Sequence, residues 1–235
     1  MSEKRITVIV PCRNEGSGVL PTLQRIVAQR DADGHPFENW AELIVTDDES
    51  ADDTPRVLAD FQSAHPHVIV LRNEPRRGLS GSYNRGINQS RAPIVLTCHA
   101  DCRLHSDDYL IRMLTHFDAR DVAGVTGKPA TPDYRDMPYS EQFYLVTHLM
   151  DVAPEPPLVR EINFLEGRCD AFRKQALIEA GLYDEQTRIA GEDQIMAIKL
   201  MRKGYRLLQD TSLIYVLSCG SSQDTIRRII RRHLT

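Results

Sequence analysis

The sequence predicts an α/β fold: a Rossmann-like, mostly parallel central sheet flanked by helices, followed by a less regular C-terminal half. Two observations lead there. Short β-branched runs, ITVIV (6–10), ELIVT (42–46), HVIVL (67–71) and IVLTC (94–98), alternate with helix-like segments up to about residue 118. The runs are apolar without a polar alternation, as strands covered on both faces are. Beyond them, Pro129, Pro132, Pro138, Pro154, Pro156 and Pro157 crowd one stretch, which predicts loops in place of regular elements.

Each helix has its own signature. After the first strand, Val19, Leu20, Leu23, Ile26 and Val27 form one stripe, with Ser17 as the expected N-cap. After the second, Thr54 and Pro55 are expected at N-cap and N1, with Val57, Leu58 and Phe61 on the buried face. Later helices are expected over 173–180, closed by Gly181, and over 193–203, closed by Gly204. The economical description is one domain over 1–235, with halves 1–118 and 119–235.

Composition narrows the function. At 235 residues the chain buries roughly 70% of its unfolded surface, enough for a core without staples. With 41% hydrophobic and 26% charged residues it is neither disordered nor fibrous, and no apolar run is long enough to span a bilayer. Lys and Arg (29) nearly balance Asp and Glu (33), so no global field draws nucleic acid, and an anionic ligand must be held locally. The apolar stretch at the N-terminus is too short for a signal peptide, and five scattered cysteines without CxxC spacing fit reduced thiols. A cytoplasmic protein is expected.

In an open parallel sheet, ligands bind beyond the carboxyl ends of the strands. Three polar clusters fall there: Pro11-Cys12-Arg13-Asn14-Glu15, Asp47-Asp48-Glu49-Ser50 and His99-Ala100-Asp101-Cys102. A carboxylate ending a buried strand needs a donor. Asp47 and Asp48 could find one in a turn or in a nucleoside. His99 and Asp101, at i and i+2, could touch one divalent cation or simply form a turn. Zinc held by Cys98, His99, Cys102 and His105 is a weaker alternative, because Cys98 is expected to face the core. Gly191-Glu192-Asp193 opens a helix, where acids serve either as caps or as a general base, and the helix dipole should keep their pKa values low. Arg76, Arg77 and Gly78 precede a helix containing Asn84; the two arginines are candidate diphosphate partners. Neither GxGxxG nor GxxxxGK[ST] occurs, which argues against dinucleotide and P-loop enzymes.

Taken in order, ITVIVPCRNEG (6–16), ELIVTDDESADDT (42–54), RRGLSGSYNRGI (76–87), PIVLTCHADC (93–102), FLEGRCDAFRKQALIEAGLYDE (164–185) and AGEDQIM (190–196) resemble an inverting family 2 glycosyltransferase of GT-A fold. The resemblance implies a nucleotide-diphosphate sugar donor, UDP-sugar favoured, lying across the strand ends. Pro11, Arg13, Glu15, Asp48, Arg76, Gly78, Asn84 and Ala100 would line the nucleotide. Asp101, with His99, would hold a divalent cation (Mn or Mg), and Asp193, with Glu192 beside it, would activate the acceptor hydroxyl. The implied enzyme is of hexosyltransferase type (EC 2.4), working by metal-assisted single displacement onto a saccharide or lipid-linked acceptor.

Two departures stand out. His99 replaces the first acid of the DxD motif, which removes a charge and leaves room for a non-catalytic nucleotide-sugar-binding protein as the alternative. The processive Q/RxxRW motif is reduced to Gln223-Asp224-Thr225-Ile226-Arg227-Arg228, without the tryptophan. A sugar-phosphate nucleotidyltransferase would carry a glycine-rich segment after the first strand, which PCRNEG is not. The 226–234 tail sets Ile226, Ile229 and Ile230 against Arg227, Arg228, Arg231 and Arg232. It is expected either to pack on the domain or to make peripheral contact with an anionic membrane. The segment 128–160, with Tyr134, Tyr139, Phe143 and Tyr144, is the expected acceptor lid.

Overall fold

The computed structural model describes residues 3–130, 156–165, 167–186 and 191–217. The lid aromatics Tyr134, Tyr139, Phe143 and Tyr144, Cys219, the 223–228 motif and the 226–234 tail lie outside the described residues.

The four apolar runs form β1 (Ile6–Cys12), β2 (Ala41–Asp47), β3 (Ile69–Arg72) and β4 (Ile94–Cys98). They pair in parallel in the order β3-β2-β1-β4, with Cys12 opposite Asp47 and Asp47 opposite Arg72. Strand order reverses between β1 and β4, which opens a crevice beyond their carboxyl ends. The helices α1 (Leu20–Val27), α2 (Phe37–Trp40), α3 (Thr54–Ala64) and α4 (Gly78–Gln89) connect these strands.

Two helix starts differ from expectation. Ser17 lies in a 3-10 turn (Gly16–Val19) that feeds α1 already wound, with proline in its first turn, so no side-chain cap forms. Thr54 is the first residue of α3 instead of its cap. Its hydroxyl is diverted across the crevice, where it accepts the N–H groups of Glu15 (3.0 Å) and Gly16 (2.8 Å).

Of the proline-rich stretch expected to form loops, residues 131–155 lie outside the described residues, and the chain beyond β4 is otherwise built of strands and helices. It supplies β5 (Cys102–Leu104), α5 (Tyr109–Thr115), β6 (Val122–Pro129), β7 (Val159–Ile162), β8 (Cys169–Arg173), α6 (Lys174–Glu179), α7 (Glu192–Arg202) and β9 (Arg206–Leu217). The sheet continues β4-β8-β6-β9-β5, with β7 also on β9. The joins β4-β8, β6-β8, β5-β9 and β7-β9 are antiparallel, and β6-β9 is parallel. As expected, Gly181 (φ +83°) and Gly204 (φ +85°) follow α6 and α7 in the left-handed region.

Side-chain alternation along the sheet creates two cores. On the first face, α1, α2, α3 and α5 pack through Leu23, Ile26, Phe37, Trp40, Leu58, Phe61 and Leu110 onto the strand residues Cys98, Cys102 and Leu104 and the turn residue Ala100, among others. On the second, α4, α6 and α7 pack through Tyr83, Ile87, Leu177, Met196 and Leu200 onto Ile9, Val95, Phe172 and Leu207. Among the described residues no helix is long and apolar enough to cross a membrane.

The approach of α4 to β1 is set by glycine. A Cβ on Gly86 would lie 2.4 Å from Ile9 Cγ2, inside any real contact. Gly86→Ala is therefore expected to lower stability by about 2–3 kcal/mol through overpacking, checked by urea unfolding.

Candidate active site

The crevice is built from turns that exchange hydrogen bonds. Asp48 N–H donates to the Cys12 carbonyl (2.9 Å), Asn14 N–H to Ser50 Oγ (2.9 Å) and Ala51 N–H to Asn14 Oδ1 (2.9 Å). Asn14 and Glu49 both take the left-handed conformation (φ +54° and +60°) needed by these tight reversals. Thr22 on α1 donates to the Ala100 carbonyl (2.7 Å), drawing the 99–102 turn to the same edge. The three polar clusters thus converge as the sequence implied. Arg13 and Glu15 are exposed at the rim, and Pro11 and Ala100 are buried in its wall.

The paired acids separate in role. Asp47 is spent on structure: it accepts Ser50 N–H (3.1 Å) and pairs with Arg72. Asp48, 5% exposed, accepts Asn73 Nδ2 (2.8 Å), Arg77 N (2.8 Å) and Gly78 N (2.9 Å), with Arg76 Nε at 3.4 Å. Of the two sources open to these acids, a turn or a nucleoside, it is the turns of the protein that supply these donors. Burial raises the Asp48 pKa, but these N–H groups and Arg76 outweigh it and leave the carboxyl below the usual range. Gly78 (φ +75°) lets the chain turn into α4 while giving up its N–H.

Asn84 is also placed differently from its expected role at the nucleotide. It is buried on α4 with its amide committed to the chain after α6: Oδ1 accepts Tyr183 N–H (3.0 Å), and Nδ2 donates to the Tyr183 carbonyl (2.8 Å) and to Glu185 (3.0 Å). Arg77 grips the same Glu185 through both oxygens (3.0 and 2.9 Å). Arg77 is thus less available to a diphosphate than the sequence suggested.

Beyond β4 the alternation resumes. In β5, Cys102 and Leu104 belong to the first core, so Arg103 belongs to the opposite side, the face that carries α7, and His99 and Asp101 lie in the turn between β4 and β5. His99 N–H extends the ladder to the Arg168 carbonyl (2.9 Å), and Cys102 N–H closes the turn on the His99 carbonyl (3.1 Å). His99 and Asp101 are both half-buried. One imidazole and one carboxylate suit a divalent cation that takes its other ligands from phosphate oxygens and water. The zinc alternative is corrected: Cys98, His99, Cys102 and His105 do not gather around a point. Among the described residues the one such cluster is Asp31, Asp33 and His35, beyond the far end of α1 from the crevice.

Asp193 stands in the first turn of α7. Gly191 (φ +119°) precedes the helix, and its N–H donates to Glu192 (3.1 Å), so Glu192 closes the helix start. Gly167 (φ +75°) backs onto the other acid, since a Cβ there would lie 2.6 Å from Asp193 Oδ2. The expected low pKa is corrected. Burial, helped by the charge of Glu192, raises the Asp193 carboxyl above the ordinary range despite nearby backbone donors.

The sequence reading missed a polar row beneath these acids. Thr97, Asp170, Thr126, Gln209 and Arg160 are successive cross-strand partners on the second face. Asp170, 1% exposed, accepts Gly167 N–H (2.8 Å) and so shares its turn with Asp193. Only strand pairing assembles this row, although an acid inside the apolar run CDAF was its one local sign.

The mostly parallel sheet, with its crevice beyond the carboxyl ends of β1 and β4, has the GT-A fold. Residues 7–181 match the model of Glycosyl transferase family 2, and the chain belongs to that family. It is 26% identical over 204 residues to a poly-beta-1,6-N-acetyl-D-glucosamine synthase of Staphylococcus epidermidis, covering 86% of this chain and 47% of the relative. The chain thus spans about half the length of that relative. In solved structures it resembles the mannosyltransferase PcManGT from Pyrobaculum calidifontis in complex with GDP-Man and Mn2+ (TM-score 0.73, 21% identity, 98% of this chain and 61% of that one). It also resembles S. aureus TarS 1-349 in complex with UDP-GlcNAc (TM-score 0.67, 17% identity, 94% and 61%).

Asp48→Asn would place an amide among donors and is expected to cost about 2–4 kcal/mol at pH 7. Because the folded pKa of Asp48 is depressed, its contribution is present above the ordinary carboxylate pKa and fades as pH falls through the folded value. Urea midpoints measured from pH 6 to pH 3 should therefore decline less in Asp48→Asn than in the wild type.

Proposed function

We propose that the protein transfers a sugar from a nucleotide-diphosphate sugar to an acceptor hydroxyl by a single inverting displacement, with Asp193 as the base. The observation that carries this is the Asp193 carboxyl itself. It is half-buried against Gly167, raised in pKa, and placed at the start of α7, and the turn that holds Gly167 is bonded to the His99–Asp101 turn through His99 N–H and the Arg168 carbonyl. A carboxylate with a raised pKa is the better proton acceptor for a sugar hydroxyl at neutral pH.

In this reading Pro11, Arg13, Glu15 and Ala100 line the nucleoside, Arg76 faces the diphosphate, and Asp48 and Gly78 shape the turn against which the base rests. Asn84 positions the 183–185 segment that leads toward the base, so its effect is on geometry. Asp101 and His99 would hold a divalent cation, Mn2+ or Mg2+, which supplies positive charge to the leaving diphosphate. Solved neighbours bind GDP-Man and UDP-GlcNAc; a UDP-sugar is the donor proposed for this chain. The acceptor would be a saccharide or a lipid-linked sugar met in the cytoplasm.

Thermal unfolding with UDP-, GDP- and dTDP-sugars, with and without Mn2+, tests donor binding, since a ligand at 100 times its Kd adds about 2.7 kcal/mol to the folded state. A metal-dependent shift with one nucleotide family is expected, and Asp101→Ala should abolish its metal dependence. Binding without any turnover would favour the non-catalytic alternative.

Asp193→Asn should keep that shift while transfer falls by about 10²–10⁴-fold. The raised pKa means the folded state favours the protonated acid, so stability from this group rises as pH falls and is lost above its folded pKa. The unliganded Asp193→Asn variant should therefore melt higher than wild type at pH 7. Wild-type transfer should fall at acid pH with an apparent pKa above the ordinary aspartate value of 3.8.

A further inference from the structure

Arg103, in the middle of β5, has no role in the reading so far. Its Nε is cut off from solvent yet has no hydrogen-bond partner, and among the described residues its side chain makes no ion pair. A shielded guanidinium donor left unmade is costly, and such a group in a folded protein calls for an explanation.

Its neighbours supply one. Cys102 and Leu104 point into the first core, so Arg103 belongs to the opposite face, two residues past Asp101 and on the side of the sheet that carries α7. Across β5-β9 its partner is Val216, and across β9-β6 Ile214 pairs with Lys128. Leu213 and Tyr215 lie in the first core, and a Cβ on Gly127 would meet Tyr109 of that core. Ile214, Val216 and Lys128 therefore share the Arg103 face. All four are half-buried. The result is a strip of sheet with a cation at each end, about 12 Å apart from strand spacing and rise, and a short apolar floor between them.

We propose that Arg103, assisted by Lys128, forms an anion subsite beside the His99–Asp101 turn that receives a phosphoryl group. The guanidinium fork matches phosphate oxygens, which the solvent-reachable part of this half-buried side chain would hold. The group comes either from the diphosphate of the donor or from a phosphorylated, partly apolar acceptor lying on Ile214 and Val216. The inference rests on the transferase reading for the first source but not for the second.

The test is calorimetry on wild type, Arg103→Gln, Arg103→Lys and Lys128→Gln. The probes are UDP, GDP, UMP, GMP and inorganic pyrophosphate with Mn2+, then octyl phosphate below its micelle concentration with and without saturating nucleotide. A loss of tenfold or more in Arg103→Gln for the diphosphates but not the monophosphates, partly restored in Arg103→Lys, identifies the donor as the source. A comparable loss confined to octyl phosphate identifies the acceptor. Affinities within twofold of wild type for every probe overturn the subsite. Wild type that binds octyl phosphate but no nucleotide would overturn the donor reading alone. Wild type that binds no probe overturns both. Unliganded Arg103→Gln should melt at or above wild type, because it removes an unpartnered donor. Melting well below wild type would make Arg103 structural and would also overturn the proposal.

Discussion

A buried carboxylate at the end of a strand must be surrounded by donors, and in this protein Asp48 is where that requirement organises the crevice. The four donors around it come from Asn73, Arg76, Arg77 and Gly78, which fixes the entry into α4. Asn84 on α4 and Arg77 just before it reach Tyr183 and Glu185 across about a hundred residues of sequence. Asn84 and then Arg77 hold the Glu185 carboxyl below its usual pKa, so this anchor stays charged at neutral pH. One carboxylate thus ties the carboxyl ends of the parallel strands to the chain between α6 and α7.

The two faces of the sheet divide the work. The first is filled by α1, α2, α3 and α5 and carries most of the apolar burial. The second combines a smaller core with the polar row from Thr97 to Arg160, and α7 presents Asp193 on it. The antiparallel pairing of β8 with β4 is the step that makes this possible. It sets Asp170 beside Thr97, and the turn before β8 then brings Gly167 against Asp193. Alternation along β5 places Arg103 on that same face while Cys102 and Leu104 anchor the other.

Burial decides the chemistry of the acids more than helix position does. Asp193 and Glu192 both sit where the helix dipole favours charge, yet the Asp193 carboxyl is raised because desolvation outweighs the dipole. Asp48 is also buried and moves the other way, because its donors are numerous and well placed. Carboxyl type and sequence context do not distinguish these outcomes; the count of donors around each one does.

Much of this was legible in the chain itself. Unbroken apolar runs determined four parallel strands, because residues buried on both faces show no polar alternation, and turn acids at the strand ends located the crevice. Glycines after α6 and α7 marked the helix ends through their left-handed φ values. What the sequence could not decide is partnership across distance. The diversion of Thr54 from capping to the first turn, the commitment of Asn84 to Tyr183, the polar row and the raised pKa of Asp193 each depend on groups tens of residues apart. Local patterns report which surface of an element is buried, whereas hydrogen-bond partners and desolvation exist only once the elements have packed.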